Sequence, residues 1–182
     1  MNAMIFLVST IFKLYLMVVL LRLWLQSARA DFYNPFSQFI VKATQPVLAP
    51  MRRALPSVGS LDTASLVLAL LLGIGFWFVI PLIAEQSLEP MLQVYLGVLT
   101  VIKEAGMLLF WVLLLRAILS WISQGRNPIE YVMQQLTEPF LSPIRRVLPD
   151  LGGIDLSVLV MFLALNFINI LLSDLVPYWG MV

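Results

Sequence analysis

Apolar residues gather in four long stretches, separated by segments where charge, proline and glycine return. Met4–Leu25, Ala64–Ala84, Val98–Ile122 and Leu156–Val176 each reach the roughly 20 mostly apolar residues that a spanning helix requires. The second carries no charge from Thr63 to Ala84, and the fourth none from Leu156 to Ser173. The first holds Lys13 and Arg22; the third holds Lys103, Glu104 and Arg116. The first stretch does not read as a secretory leader, because it lacks a basic start and has Lys13 in its middle. No strand-like alternation is present. The pattern predicts an all-α membrane protein with four transmembrane helices.

Two of the polar segments have a helical pattern of their own. Phe36, Phe39, Ile40, Ala43 and Val47 recur at helical spacing after the first span, and Ile129, Val132, Met133, Leu136 and Phe140 do so after the third. Lys42, Gln38, Glu130 and Gln134 fall on other faces, so each segment is expected to be an amphipathic helix lying on the membrane. Asn34-Pro35 and Asn127-Pro128 fit a helix cap followed by proline at the first helical position. The simpler role for these helices is to seal the bundle's cytoplasmic side; the sharper alternative is a docking surface for a partner.

The two segments are copies. At a shift of 93 residues, Thr44-Gln45-Pro46-Val47-Leu48-Ala49-Pro50-Met51-Arg52-Arg53-Ala54-Leu55-Pro56 meets Thr137-Glu138-Pro139-Phe140-Leu141-Ser142-Pro143-Ile144-Arg145-Arg146-Val147-Leu148-Pro149. Gly59 and Asp62 meet Gly152 and Asp155, and Arg22 meets Arg116 after a one-residue slip. The chain therefore divides into tandem repeats, 1–90 and 91–182, each with two spans. An even number of spans gives both copies one orientation, with a pseudo-two-fold along the membrane normal as the expected relation.

Charge sets the orientation. The loop after the first span carries Arg29, Lys42, Arg52 and Arg53, and the loop after the third carries Arg126, Arg145 and Arg146. The short loop between spans two and three has Glu85 and Glu89, with Lys103 at its far end. By the positive-inside rule both connectors face the cytoplasm and both termini face outward. Trp24, Trp121, Tyr178 and Trp179 fall near span ends, where the headgroup layer favours such rings.

The Thr-(Gln/Glu)-Pro-x-Leu-x-Pro-x-Arg-Arg-x-Leu-Pro run, followed by Gly and (Leu/Ile)-Asp, resembles the signature of the YggT family of bacterial and chloroplast membrane proteins. The resemblance covers nearly the whole chain in both copies. The second copy is closer to the pattern, with Arg116 and Leu119-Ser120-Trp121 before the connector and Asp155-Leu156-Ser157 after it. The first departs from it: Gln45 replaces the acid, Thr63 follows Asp62, and Leu-Ser-Trp is absent. The resemblance implies a bacterial inner membrane and roles around osmotic-stress tolerance, cell-envelope or division-site organisation. For chloroplast relatives it implies cytochrome assembly.

Composition removes much chemistry. Hydrophobic residues make up 61% and charged residues 12% of the 182, against about 45–50% and 25% in soluble domains. With no Cys and no His, disulfides, thiol nucleophiles, cysteine- or histidine-ligated metals and histidine acid–base catalysis are all excluded. A net charge of +1 argues against nucleic acid as a partner. A Ser–Lys pair exists at Ser9 and Lys13, but no oxyanion-hole motif accompanies it. The expectation is a protein without enzymatic activity or cofactor, in contact with anionic lipid headgroups and with a membrane-protein partner or a second copy of itself.

Several polar residues then need a role. The paired prolines around Arg52, Arg53, Arg145 and Arg146 predict one short helical turn bounded by breakers. The arginines there have three candidate counter-charges: lipid phosphate, Asp62 or Asp155 returned by the Gly59 or Gly152 turn, or a partner's acidic patch. Glu138 can reach either arginine of its copy. Asp62 and Asp155 directly precede spans two and four and are expected to be their N-caps. Lys13 lies nine residues from Arg22, about 13.5 Å deep, and Glu104 lies twelve from Arg116, about 18 Å. An intramembrane lysine needs a partner, so Lys13 is expected to cluster with Glu104 or with Asn166 and Asn169. The staple role is preferred over a proton or ion site. Two rivals stay open: a small ion or osmolyte conductor using Lys13, Arg22, Glu104 and Arg116, and an accessory factor for cofactor assembly.

Overall fold

The computed structural model describes residues 2–123, 127–148 and 155–182. Six helices follow one another: α1 (Asn2–Ser27), α2 (Pro35–Ala54), α3 (Thr63–Ile83), α4 (Pro90–Ser123), α5 (Pro128–Arg145) and α6 (Leu156–Leu175). A short 3-10 turn, Trp179–Met181, ends the chain. Four of the helices, α1, α3, α4 and α6, are long and apolar enough to cross a membrane. Gly152, Pro149 and Arg126, with the second connector's return turn, lie outside the described residues.

The third span starts earlier than expected, at Pro90 rather than Val98. Proline at a helix start costs no hydrogen bond, and the Gln93 amide closes the first turn onto the Glu89 carbonyl at 3.0 Å. Packing against α3 holds this added stretch, and Lys103 lies well inside α4.

The connectors also differ from the expected single turn. α2 runs unbroken through Pro46 and Pro50, and α5 through Pro139 and Pro143. Each pair is spaced by four, so both rings and the carbonyls they free lie on one face. All four prolines are exposed, so that face can be hydrated, and the missing hydrogen bonds need no protein partner. Arg52, Arg53 and Arg145 consequently fall in the last turns, with Arg146 as the C-cap of α5, where the dipole favours cations. Asn34 and Asn127 cap as expected, accepting from the Phe36 and Ile129 amides at 2.9 Å each.

The buried stripes are shifted from those the spacing suggested. α2 buries Ser37, Ile40, Thr44 and Leu48, while Phe39 and Val47 face outward. α5 buries Val132, Met133, Leu136, Thr137 and Leu141, leaving Phe140 exposed. The two threonines are tolerated inside because each hydroxyl donates to the carbonyl four residues back, Ile40 at 2.8 Å and Met133 at 2.7 Å.

α3 packs closely against both α4 and α1, which also meet each other over a smaller area. Gly73 and Gly97 bring α3 and α4 into backbone contact: a Cβ on Gly73 would lie 2.6 Å from the Gly97 carbonyl oxygen. A full pseudo-two-fold would mirror the α3–α4 contact with α6 against α1. Among the described residues, α1 and α6 are not a closely packed pair; α6 rests on α5 and more lightly on α4. Asn166 occupies on α6 the place of Gly73 on α3, and its carboxamide cannot support the same close crossing. Trp179 is likewise not a headgroup ring: it is buried, and its Nε1 donates to Asn169 Oδ1 at 2.9 Å.

Candidate functional site

The connector motif folds back on itself at the base of each repeat. In the first, Gly59 takes the left-handed conformation (φ 61°), and Val58 and Leu61 exchange backbone hydrogen bonds. This turn returns Asp62 to the last turn of α2. There Asp62 accepts from Arg52, with Nε at 3.4 Å and a closer Nη2 contact, and from Ser65 Oγ at 2.6 Å. Asp62 is fully buried. It stands at the N-cap position of α3 but makes no side-chain cap bond, so its carboxylate serves the ion pair instead. Burial pushes its pKa up, but Arg52 and the hydrogen bond from the Ser65 hydroxyl outweigh this and hold it below the usual carboxylate value.

The second repeat repeats the pair and extends it. Asp155 accepts from Arg145 Nε at 3.1 Å and Nη2 at 2.8 Å, and it also caps α6 through the Ser157 amide at 3.0 Å. Its pKa is raised by burial and lowered more by Ser157 and Arg145, so it too ends below the usual value. Arg145 Nη1 reaches Glu138 at 2.9 Å, and Glu138 in turn meets Arg116 Nη2 at 3.4 Å. Arg116 also donates to Thr137 Oγ1. Arg116, Glu138, Arg145 and Asp155 thus form a chain of four alternating charges linking α4, α5 and the start of α6. Burial draws the Arg145 pKa down, but the two carboxylates hold it above its ordinary value.

Gln45 stands where Glu138 stands, and the first repeat has no such chain. Arg22, the partner of Arg116 in the repeat, is buried, with its guanidinium carbon 5.1 Å from the Phe32 ring centroid. Among the described residues its Nε and Nη1 have no hydrogen-bond partner. Of each arginine doublet, the first member turns inward to the aspartate, while Arg53 and Arg146 stay exposed. The inward turn of Arg52 and Arg145 pairs each with the aspartate of its own repeat.

Within the spans, Lys13 Nζ lies 3.3 Å from Glu104 Oε1, joining α1 to α4 and hence one repeat to the other. The Lys13 side chain is 43% exposed, with its ammonium 6.0 Å from the Phe76 ring centroid. Asn166 and Asn169 do not join it: Asn166 is exposed on α6, and Asn169 holds Trp179. The neighbouring Lys103 is fixed separately by the Trp179 and Val182 carbonyls. Sequence reasoning missed this last contact; a lysine next to Glu104 with no carboxylate of its own was the available signal. Among the described residues, no three carboxylates gather to hold a metal ion.

Four spans in two tandem copies, each with a proline-punctuated helix clamped by an arginine–aspartate pair, define a multi-pass membrane protein built by duplication. The chain belongs to the CCB3/YggT family, whose pattern it matches over residues 1–83 and 95–176. It is 59% identical over 182 residues to a Vibrio alginolyticus protein described as uncharacterised, in the proC 3′ region, covering 98% of each chain. It is 49% identical over 180 residues to the uncharacterised protein YggT of Escherichia coli K12, covering 99% of this chain and 94% of that one. A 55-residue stretch is 36% identical to the chloroplastic YlmG homolog protein 2 of Arabidopsis thaliana. No solved structure matches the chain.

Proposed function

We propose that this protein is a non-enzymatic scaffold of the bacterial inner membrane, with cytoplasmic connectors, outward termini and α2 and α5 as its working surface. The observation that carries this reading is the division of labour within the connectors. Arg52, Arg145, Glu138 and both aspartates are used up in internal pairs, while Phe39, Lys42, Arg53, Tyr131 and Arg146 are exposed. Aromatic rings and cations on one outer face suit an anionic headgroup layer and the membrane proteins lying in it. The charges a conductor would need are divided instead: Lys13 with Glu104, Arg116 with Glu138, Arg22 against Phe32.

Crosslinking with mass spectrometry in native membranes tests the assignment. Partner peptides should map to the outer faces of α2 and α5. Partners mapping only to the opposite end of the bundle, or ion flux in liposomes that Lys13→Met abolishes, would overturn it. Orientation is tested separately by a reporter active only outside the cytoplasm. Fusion after Val182 should give signal and fusion near Gly59 none.

A further inference from the structure

Repeat symmetry leaves a helix-packing face of α6 uncovered. On α3, Leu66, Leu70, Gly73, Trp77 and Ile80 form a stripe spaced by four and three. This stripe is the one that meets α4, through the Gly73–Gly97 approach and a 2.8 Å hydrogen bond from Trp77 Nε1 to Thr100 Oγ1. Ninety-three residues on, the same stripe reads Leu159, Leu163, Asn166, Ile170 and Ser173, and all five are exposed. In α6 only 6% of the apolar window is buried, against 22% in α3.

Asn166 sits at the middle of this stripe. It lies eleven residues past Asp155, about 16.5 Å along the helix, near the centre of a ~30 Å hydrocarbon layer. A carboxamide facing lipid with its donors and acceptor unused is costly. Asn169 satisfies its oxygen with Trp179, whereas Asn166 has no hydrogen-bond partner among the described residues.

We propose that a second copy of the chain covers this face, α6 against α6, about a two-fold axis along the membrane normal. The interface continues in the second repeat the one that α3 already makes in the first. Two copies inserted in one orientation present Asn166 at equal depth, so the axis brings it against itself. Its amide is self-complementary, with an NH₂ donor and an oxygen acceptor on each side. The four-three spacing is that of a left-handed helix pair, in which one polar residue sets register and the number of strands. Small and apolar residues flank it, and no charge interrupts the stripe. In membranes, hydrogen bonds of this kind supply the association that hydrophobicity cannot.

The chain has no cysteine, so single cysteines can be placed one at a time. In oxidised native membranes, Leu163→Cys and Ile170→Cys should be trapped as disulfide-linked dimers. Ile168→Cys, on the opposite side of α6, should stay monomeric. Energy transfer between labelled copies in bilayers should show Asn166→Leu weakening association about three- to thirty-fold and Asn166→Gln preserving it. Equal trapping at Ile168, or no trapping at any position, would overturn the proposal. So would a disulfide within one chain between Leu163→Cys and Leu7→Cys, because α6 would then close on its own α1.

Discussion

In the first repeat the second span, α3, lies against both α1 and α4, whereas its counterpart α6 rests on α5 and touches α4 only lightly. At the connector end the balance reverses. There the second repeat carries four linked charges, while the first has one ion pair and an arginine with two unpaired nitrogens. Duplication has thus kept the connector clamp in both copies and divided the other tasks. One copy is fastened by close backbone packing within the membrane, the other by charge at its base. Two substitutions carry the difference: glycine against asparagine at 73 and 166, and glutamine against glutamate at 45 and 138.

The largest expected effect follows from the first of these. Gly73→Val places a side chain into the Gly97 backbone and the Val101 side chain, both already 2.6 Å from a bare Cβ. Backbone cannot yield as a flexible side-chain tip can, so the cost should be about 3 kcal/mol, at the upper end for overpacking. Thermal unfolding in mild detergent should show it as a clearly lowered Tm. Asn166→Val at the equivalent site should leave monomer stability almost unchanged. Equal losses at both sites would break the contrast between a closed and an open repeat.

The two aspartates should also differ. Asp62→Asn removes a fully buried partner from Arg52 and should cost about 2–3 kcal/mol, less than a sealed pair because Arg52 remains 26% exposed. Asp155→Asn keeps a good cap and loses a 40% exposed charge, so about 0.5–1 kcal/mol is expected. Denaturant titrations of the two variants measure the gap. A smaller loss for Asp62 would show that burial does not rank the two clamps.

These carboxylates also set the acid limit. Both have folded pKa values below the unfolded value of about 3.9, so the folded state binds fewer protons in that range. Their stabilisation is complete above that value and lost as pH falls through the depressed folded values. Stability should be insensitive to them from pH 7 down to about 5 and fall below about 4. Asp62→Asn should flatten part of that acid limb. An acid transition starting near pH 6 would assign it to other groups.

Much of this arrangement was legible in the sequence. Four spans, the repeat, both Asn-Pro caps and the Lys13–Glu104 contact follow from hydropathy, self-similarity and depth along a helix. Proline was misleading, because a breaker is judged by the hydrogen bond it removes and not by whether that face is already in water. The stripes on α2 and α5 were displaced because Thr44 and Thr137, polar by composition, satisfy themselves against their own helix and go inside. The looseness of α6 was illegible from hydropathy, since lipid-facing and protein-facing residues are equally apolar. Comparing Asn166 with Gly73 was the one available sign.

The smallest expected effect tests whether the missing acid explains the missing charge chain. Gln45→Glu would give the first repeat the residue that in the second meets both Arg116 and Arg145. Position 45 stands seven residues before Arg52, as 138 stands before Arg145, so the new carboxylate should approach Arg52 and the unpaired nitrogens of Arg22. Its side chain is exposed, and solvent will screen most of the attraction, so about 0.5 kcal/mol of added stability is expected, seen as a Tm rise of one or two degrees. The reciprocal Glu138→Gln should cost more, about 1–2 kcal/mol, because it leaves the largely buried Arg116 with only Thr137. The sign of the Gln45→Glu effect is the decisive quantity. A rise that disappears at high salt would mean that the first repeat still has the geometry of the second and lacks only the charge. A loss of stability would mean that α2 and α1 have moved apart since the duplication, and that Arg22 is held by the face of Phe32 rather than waiting for an acid.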